Sequence, residues 1–272
     1  MLGLVCIDVD GTLVGHNNQV HPRVWETAAR AVQAGLKLAI CTGRPALSAT
    51  LAYARQLDPL GWHIFQGGAS LLQPESGASR SHPLSESALE RLLALYAQTG
   101  WVLELYSDQD YVVEAFAPGS EADRLARDHA RLIGVDFQPR SLRALQGKLV
   151  RAQWVVSGAQ TSAAMASCFE GVVYASATSP SVADACFISV TAAGVDKCSA
   201  IRELAALSGV PLSQTMMIGD GQNDLRAMQL VGYPVAMQNA DPVLSAVCRY
   251  QVGHVEAGGV AEALELALTL GD

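Results

Sequence analysis

The sequence contains few charged residues and no excess of basic ones. Only 16% of its 272 residues are charged, half are apolar, and the formal net charge is −8. A chain this acidic repels nucleic acid and anionic lipid, so we expect neither as a partner. The apolar residues are sufficient to bury a large core. The length favours a core accompanied by a second domain over a single large domain.

Three further absences narrow the class of protein. No apolar stretch is long enough to cross a bilayer, and no charged segment precedes the apolar residues 2–7, so we expect neither a membrane span nor a signal peptide. The six cysteines form no C-x-x-C pair, which indicates reduced thiols and a cytoplasmic location. The histidines show no metal-binding spacing and are interpreted as separate surface or packing residues, namely His16, His21, His63, His82, His129 and His254.

What the sequence does contain, from its first residues, is an alternation of strand and helix patterns. Residues 2–7 form a short apolar strand pattern that ends at Asp8, and a helix pattern runs from Pro22 to just before Gly35. A second apolar strand, a second helix and a third strand follow, up to residue 66. Because these strands are apolar throughout rather than alternating, they predict a parallel sheet covered on both faces.

Residues 73–83, "QPESGASRSHP", interrupt this rhythm and are typical of a linker. The next hundred residues include two alternating segments around the turn "SDQD", which predict an antiparallel hairpin. The earlier rhythm then resumes after residue 188, including a helix predicted over 223–232. We therefore predict an α/β protein with a doubly wound, Rossmann-like core of residues 1–81 and 189–272. An α+β domain of residues 82–188, called the cap below, is inserted into it.

Ligands of open parallel sheets bind beyond the carboxyl ends of the strands. Polar side chains occupy such positions, or a nearby helix start, at Asp8 and Asp10, Thr42, Lys197, and Asp220 with Asp224. Each has an ordinary explanation when taken alone. Asp10 and Gly11 are a common turn pair, a lysine often begins a solvated helix, and Asp224 suits a first helical turn. Arg44 fits a phosphate contact and a surface arginine equally well.

Together these residues fit phosphoryl transfer. One strand-end carboxylate can attack phosphorus, and a second can protonate the leaving oxygen and then deprotonate the attacking water. Converging carboxylates repel one another and need a cation, and Mg²⁺ prefers oxygen ligands and substrate phosphate. Thr42 offers a hydroxyl, Gly43 lets a backbone N–H approach a phosphate oxygen, and Lys197 offers a positive charge.

Four motifs occur in order, "DVDGTL", "CTGR", "GVDKCSAI" and "GDGQND". In this set and order the chain resembles the haloacid dehalogenase superfamily, and within it the Cof-type phosphatases, which carry a C2-type α+β cap between the second and third motifs. The resemblance covers nearly the whole predicted core. It departs from the family at Gly67, Cys198 and Gln238, where such proteins usually have Asn, Gly and Gly, and these departures bear on substrate contacts.

The resemblance implies a role for each matching residue. Asp8 corresponds to the nucleophile, and Asp10 to the general acid and base whose backbone carbonyl binds Mg²⁺. Thr42, Gly43 and Lys197 correspond to the phosphate-binding group. The implied metal ligands are Asp8, Asp10 and Asp220, with Asn223 and Asp224 supporting them by direct contact or through water.

A carboxylate at Asp10 favours hydrolysis or phosphomutation, because dehalogenases of the superfamily lack it and P-type ATPases carry Thr there. We predict a Mg²⁺-dependent phosphatase that hydrolyses a small soluble phosphomonoester, such as a sugar phosphate or a phosphorylated cofactor, through an aspartyl-phosphate. A phosphomutase and a non-catalytic phosphate-binding relative remain alternatives, although the latter is expected to have lost a catalytic group. No feature of the sequence indicates an oligomeric state.

Overall fold

A computed structural model describes residues 1–179 and 182–271 of the chain. Its strands, in chain order, are β1 (Leu4–Ile7), β2 (Lys37–Ile40), β3 (His63–Phe65), β4 (Ser70–Leu72), β5 (Ser79–Ser81), β6 (Val102–Tyr106), β7 (Tyr111–Val113), β8 (Arg151–Ser157), β9 (Val172–Ser179), β10 (Val182–Ala192), β11 (Thr215–Gly219), β12 (Tyr233–Met237) and β13 (Tyr250–Val252). Its α-helices are α1 (Pro22–Gln33), α2 (Ser48–Leu57), α3 (Glu86–Thr99), α4 (Glu121–Leu132), α5 (Thr161–Ala166), α6 (Lys197–Ser208), α7 (Leu225–Met228), α8 (Pro242–Ser245) and α9 (Gly259–Gly271).

The chain divides into two compact units. The first contains Met1–Gly43, Leu51–Ser79 and the residues from Asp196 onward, and the second contains Arg44–Thr50 and Arg80–Val195. The limits predicted from the sequence, 1–81 with 189–272 and 82–188, remain a prediction. Because β10 continues to Ala192, we propose that the second limit lies in the turn that follows this strand rather than at residue 188.

The first unit contains the predicted parallel sheet, in the strand order β13-β12-β11-β1-β2. All its pairs are parallel, and β1 lies between β11 and β2 with Ile7 opposite both Ile218 and Ile40. The doubly wound core is therefore confirmed. The sequence pattern missed the edge strand β13 and the short α8, because segments of three and four residues show no measurable periodicity.

Both faces of this sheet are buried, as the apolar strands require. One face packs under α6, α7 and α8, where Leu4, Cys6 and Met217 contact helix residues such as Leu204 and Leu244. The alternate residues of the strands are also buried, on the side of α1 and α9, which pack against each other and against the sheet. Parallel strands covered in this way end at one common edge, so residues after β1, β2 and β11 are neighbours.

Residues 73–83 are not a plain linker, which corrects the prediction. Ser79–Ser81 forms β5, the last strand of a small sheet in the order β3-β4-β5. The strand was missed because three polar residues in a Ser-rich, Gly-rich segment carry no apolar alternation. The β3 strand of this sheet also lies beside the chain just after β2, since the Thr42 N–H donates to the Ile64 carbonyl at 3.0 Å.

The second unit contains an antiparallel sheet in the order β7-β6-β8-β10-β9. The predicted hairpin is confirmed, with Glu104 opposite Val113 and Tyr106 opposite Tyr111. Helix α3 begins after Ser85, whose hydroxyl accepts from the Ala88 N–H, and ends at Gly100 in the left-handed region. Trp101, which follows this helix, packs edge-on against the fully buried Trp154.

A buried polar cluster inside the second unit includes two tyrosines of the hairpin. The hydroxyls of Tyr106 and Tyr111 donate to Glu104 at 2.6 and 3.0 Å, and His129 contacts the same carboxylate at 2.8 Å. Burial acts to raise the pKa of Glu104, but His129 and the two hydroxyls outweigh it and hold that pKa below its ordinary value. His129 is therefore a packing residue with a polar role inside the unit.

None of the helices within 1–179 and 182–271 combines the length and apolar character needed to cross a bilayer.

Candidate active site

The site begins where β1 ends. Asp8 is only 4% exposed, whereas Asp10 is exposed. Between them and Val14 the chain folds into a tight turn, in which the Gly11 N–H donates to the Val14 carbonyl at 2.9 Å. Gly11 has φ of +76°, and an ideal Cβ on it would lie 2.1 Å from Asp220 Oδ2. Only glycine therefore lets this turn approach the carboxylate that follows β11.

This contact supports a first prediction. Replacing Gly11 by alanine is expected to displace Asp220 and to weaken binding of the Mg²⁺ that the sequence predicts by about 10- to 100-fold, the usual effect of disturbing a ligand's surroundings. The measurement is the Mg²⁺ concentration dependence of phosphate release. Gly35→Ala is the matched control, because Gly35 has φ of +92° but open space around its missing Cβ. Equal Mg²⁺ dependence in the two variants would contradict the prediction.

Lys197, the first residue of α6, connects two of the predicted carboxylates. Its Nζ lies 2.6 Å from Asp8 Oδ1 and 2.7 Å from Asp224 Oδ1, and all three side chains are buried. Burial acts to lower the pKa of Lys197, but the charges of Asp8 and Asp224 outweigh it and raise that pKa well above its ordinary value. The lysine therefore remains an ammonium group inside the site.

Asp220 follows β11 and is positioned from two directions. Its Oδ1 accepts a hydrogen bond from the Thr12 hydroxyl at 3.0 Å, and its backbone carbonyl accepts from the Asp241 N–H at 2.8 Å. Burial raises the pKa of Asp220 to about 6, and the nearby charges of Asp224 and Asp10 act in the same direction. Its carboxylate is therefore destabilised unless a cation is present.

Three carboxylates converge at this edge of the sheet. Asp8, Asp220 and Asp224 each offer an oxygen, and these oxygens lie within 4.8 Å of one another. Burial also raises the pKa of Asp8, against the opposing charge of Lys197. One ammonium group cannot balance three ionised carboxylates, so full ionisation of the cluster requires a further cation.

The cluster fits a hard divalent cation. Its three converging side chains offer oxygen ligands, as Mg²⁺ prefers, and Asp224 Oδ2 is buried with no hydrogen-bond partner. An unsatisfied buried carboxylate oxygen is costly, and a cation would remove that cost. The residues present therefore fit the metal that the sequence predicts, and Asp224 is one of the three converging carboxylates.

The remaining predicted residues lie around this cluster. The carboxylate of Asp10 is outside the group of three, yet its charge raises the pKa of both Asp8 and Asp220, so it is close to them. Thr42 is buried beyond β2, next to Cys41, whose N–H donates to the Ile7 carbonyl at 2.8 Å. Gly43 is exposed immediately after it.

The segment after β11 is less helical than predicted. Instead of a helix over 223–232, a 3-10 turn at Gln222–Asp224 precedes the four-residue α7. Asp224 is turned inward to Lys197, and an ideal Cβ on Gly221 would lie 2.3 Å from Asn223 Oδ1, so the Asn223 side chain folds over this glycine.

Sequence reasoning missed two residues that position the site. Thr12 binds Asp220, and its place in "DVDGTL" beside both aspartates was an available indication. Asn239 donates to the Gly11 carbonyl at 2.7 Å and accepts from the Val255 N–H at 3.1 Å, which joins the first turn to the segment after β13. The three departures from the family lie at a left-handed Gly67, a half-buried Cys198 and an exposed Gln238.

Comparison with known proteins agrees with this geometry. The sequence profile of the haloacid dehalogenase-like hydrolases matches residues 5–264. The chain belongs to this family. Within the family, an HMP-PP phosphatase of Serratia proteamaculans is 26% identical, with 97% of this chain and 95% of the relative aligned. The 5-amino-6-(5-phospho-D-ribitylamino)uracil phosphatase YwtE of Bacillus subtilis is 23% identical, with 97% and 98% aligned.

Solved structures of the family share the fold. A haloacid dehalogenase-like hydrolase from Bacteroides thetaiotaomicron matches with a TM-score of 0.83 at 21% identity, covering 98% of this chain and 99% of the other. A subclass IIB sugar phosphatase matches with a TM-score of 0.77 at 21% identity, covering 97% and 98%. The resemblance predicted from the four motifs is confirmed, and this haloacid dehalogenase-like hydrolase is a phosphatase.

Proposed function

We propose that the chain is a Mg²⁺-dependent phosphatase that hydrolyses a small soluble phosphomonoester through an aspartyl-phosphate on Asp8. One observation carries the proposal: the buried Asp8 carboxylate contacts Lys197 at 2.6 Å and lies within 4.8 Å of the Asp220 and Asp224 oxygens. A carboxylate placed in this way is held at the strand end by charge, and a transferring phosphoryl group would meet both the ammonium and a cation there.

In the first step a carboxylate oxygen of Asp8 attacks phosphorus, the bond from phosphorus to the ester oxygen breaks, and Asp10 gives its proton to that oxygen. Lys197 holds Asp8 Oδ1, so we expect Oδ2 to attack. In the second step Asp10 takes a proton from a water that attacks phosphorus. The acyl-phosphate bond then breaks to release inorganic phosphate and the Asp8 carboxylate.

The other residues bind and position the phosphoryl group. We propose that Lys197 and the Thr42 hydroxyl contact its oxygens, together with the backbone N–H of Gly43. Mg²⁺ would be held by the carboxylates of Asp8 and Asp220, the carbonyl of Asp10 and the support of Asp224 and Asn223. When bound, it neutralises charge on the phosphate and on the cluster.

The substrate class follows from the relatives. Their names describe phosphatases acting on HMP-PP and on a phosphorylated ribitylaminouracil. We infer a small phosphorylated metabolite, such as a sugar phosphate or a phosphorylated cofactor. Free cysteines at all six positions agree with the reduced cytoplasm as its location.

The second prediction tests metal dependence. Phosphate release is measured over a panel of phosphorylated metabolites with Mg²⁺, with excess chelator, and with Mg²⁺ restored. We expect release from at least one small phosphomonoester, its loss with chelator, and its full return with added Mg²⁺, because the carboxylate cluster needs a cation. Equal release with and without chelator would contradict the metal assignment. An isomeric phosphate in place of free phosphate would identify a mutase.

A further inference from the structure

The residue before Lys197 makes contacts that the proposed mechanism does not use. Asp196 Oδ1 accepts from the Ser199 N–H at 2.7 Å, and the Ser199 hydroxyl accepts from the Asp196 N–H at 3.0 Å. These two hydrogen bonds form a capping box at the start of α6. Asp196 Oδ2 accepts from Arg226 Nη1 at 2.7 Å. The two oxygens of one carboxylate therefore hold two different segments.

The backbone of Asp196 is confined as well. An ideal Cβ on Gly68 would lie 2.3 Å from the Asp196 carbonyl oxygen, so the two backbones are in close contact. The preceding residue, Gly67, donates its N–H to the Thr42 carbonyl at 2.9 Å. The loop Gln66–Gly68 therefore contacts the backbones of both Thr42 and Asp196. Asp196 lies against this loop on one side and against Arg226 on another.

The ion pair of Asp196 with Arg226 lies near the ion pair of Lys197 with Asp224 in the sequence. Asp196 precedes Lys197 by one residue, and Arg226 follows Asp224 by two, so both ion pairs join the same two segments. The inner pair is buried, whereas the side chain of Arg226 is 77% exposed. Exposed ion pairs contribute little to folding stability. This one, however, joins the start of α6 to the segment that follows the Asp224 turn.

We propose that Asp196 and Arg226 are positioning residues that keep the Lys197 ammonium on Asp8 and Asp224. Lys197 reaches them through a flexible four-carbon stem, so the location of its Cα decides where the charge lies. A displacement of about 1 Å at a reacting centre can reduce turnover about 100-fold. This inference rests on the proposed function, which assigns Lys197 to the phosphoryl group and the nucleophile.

The third prediction concerns Arg226→Met, which keeps the apolar stem and removes the guanidinium. We expect kcat for phosphate release to fall about 10-fold, because the Lys197 ammonium is displaced from the reacting groups. KM should change less, because substrate binding is weakened less than turnover. Arg226→Lys should restore most of the lost kcat. Arg30→Met is the matched control, since Arg30 also forms an exposed ion pair, with Glu265 at 2.6 Å on α1 and α9. Its kcat should equal that of the unaltered protein.

A second variant separates the ion pair from the helix cap. Asp196→Ser keeps a capping hydroxyl but has no carboxylate for Arg226. We expect it to match Arg226→Met in kcat, and the double variant to lose no more than either single one, because both remove the same contact. The melting temperatures of Arg226→Met and Arg30→Met should lie within about 3 °C of the unaltered protein.

Titration of inorganic phosphate provides a readout that needs no turnover. Arg226→Met should bind phosphate more weakly than Arg30→Met. The proposed function would fail if no metabolite released phosphate, and this comparison of phosphate affinities could still be measured in that case. The inference is overturned if Arg226→Met equals Arg30→Met in kcat and in phosphate affinity. It is also overturned if a loss of kcat follows a loss of melting temperature and Arg226→Lys does not restore it.

Discussion

Asp8→Asn is expected to reduce phosphate release by about 10³-fold or more, the range seen when a covalent nucleophile is removed. A carboxamide has the size and shape of the carboxylate but does not attack phosphorus. The substitution tests the nucleophile specifically, because Asp8 is buried and its Oδ1 already faces Lys197 at 2.6 Å. The measurement is kcat for the best substrate of the metabolite panel, with saturating Mg²⁺.

The fold should survive this change. Burial raises the pKa of Asp8, so a neutral side chain suits the site better than a charged one when no cation is bound. Lys197 keeps its contact with Asp224 at 2.7 Å, so no buried ammonium loses its last partner. We expect the melting temperature with chelator to stay equal or to rise. A loss of activity without a loss of stability would then be due to the missing nucleophile and not to unfolding.

The matched control is Asp58→Asn, which replaces another buried aspartate of the same unit. Asp58 accepts from the Gly61 N–H at 3.0 Å, and it serves a turn outside the carboxylate cluster. This variant should retain phosphate release. Undiminished activity in Asp8→Asn would remove the nucleophile assignment, and equal losses in the two variants would attribute the effect to burial of an amide.

The sequence predicted the convergence of the site because the rule behind it is geometric. Parallel strands end at one edge, so Asp8 after β1 and Asp220 after β11 had to meet once both strands were recognised as apolar and buried. The pairing of Ile7 with Ile218 confirms this. Lys197 at the start of α6 and Asp224 in the 3-10 turn after β11 were candidates by position, and the order of the four motifs gave them their implied roles.

The contacts that refine the site were not predictable in the same way. Asn239 binds the carbonyl of Gly11 across 228 residues of sequence, and Arg226 binds Asp196 across 30. Neither contact leaves a periodic or compositional trace, because each depends on how two loops pack after the sheet has formed. The helix predicted over 223–232 fails for a related reason. Lys197 draws Asp224 inward, and tertiary contact outweighs local helical preference there.

In the second unit, too, contacts between distant segments could not be predicted from the sequence. Its hairpin was predictable from alternation, but the role of Tyr106 and Tyr111 as donors to a buried Glu104 was not. A glutamate in an alternating strand is ordinarily expected on the solvent face. Here helix α4 covers it with His129, and that docking depends on apolar contacts such as those of Leu125 with Val102 and Phe187, which are distant in sequence.

Lys197→Met should have the largest combined effect on stability and activity. Lys197 is buried and supplies the ammonium that contacts both Asp8 and Asp224. Removing it leaves two buried carboxylates facing a third, that of Asp220, without that cation. Breaking a buried ion pair by removing one partner costs about 3–5 kcal/mol, because the remaining charges stay desolvated. We expect a loss of unfolding free energy in this range with chelator present.

Mg²⁺ should restore part of that stability but none of the turnover. A cation that binds only the folded state stabilises it according to its concentration and affinity, and the uncompensated carboxylates of the variant favour cation binding further. Turnover needs the ammonium beside the nucleophile and the phosphoryl group, which a cation among the carboxylates does not replace. Denaturant unfolding with chelator and with excess Mg²⁺, alongside phosphate release, measures both effects.

Lys37→Met is the comparison variant. Lys37 is an exposed lysine on β2, the strand beside β1, and its Nζ contacts the Ser208 carbonyl. It should change neither the response to Mg²⁺ nor phosphate release. If Lys197→Met unfolds at the same denaturant concentration as Lys37→Met with chelator present, the buried carboxylates do not depend on this ammonium. The electrostatic account of the site would then be wrong. A stability difference that shrinks as Mg²⁺ is added would instead show that lysine and cation neutralise the same three side chains.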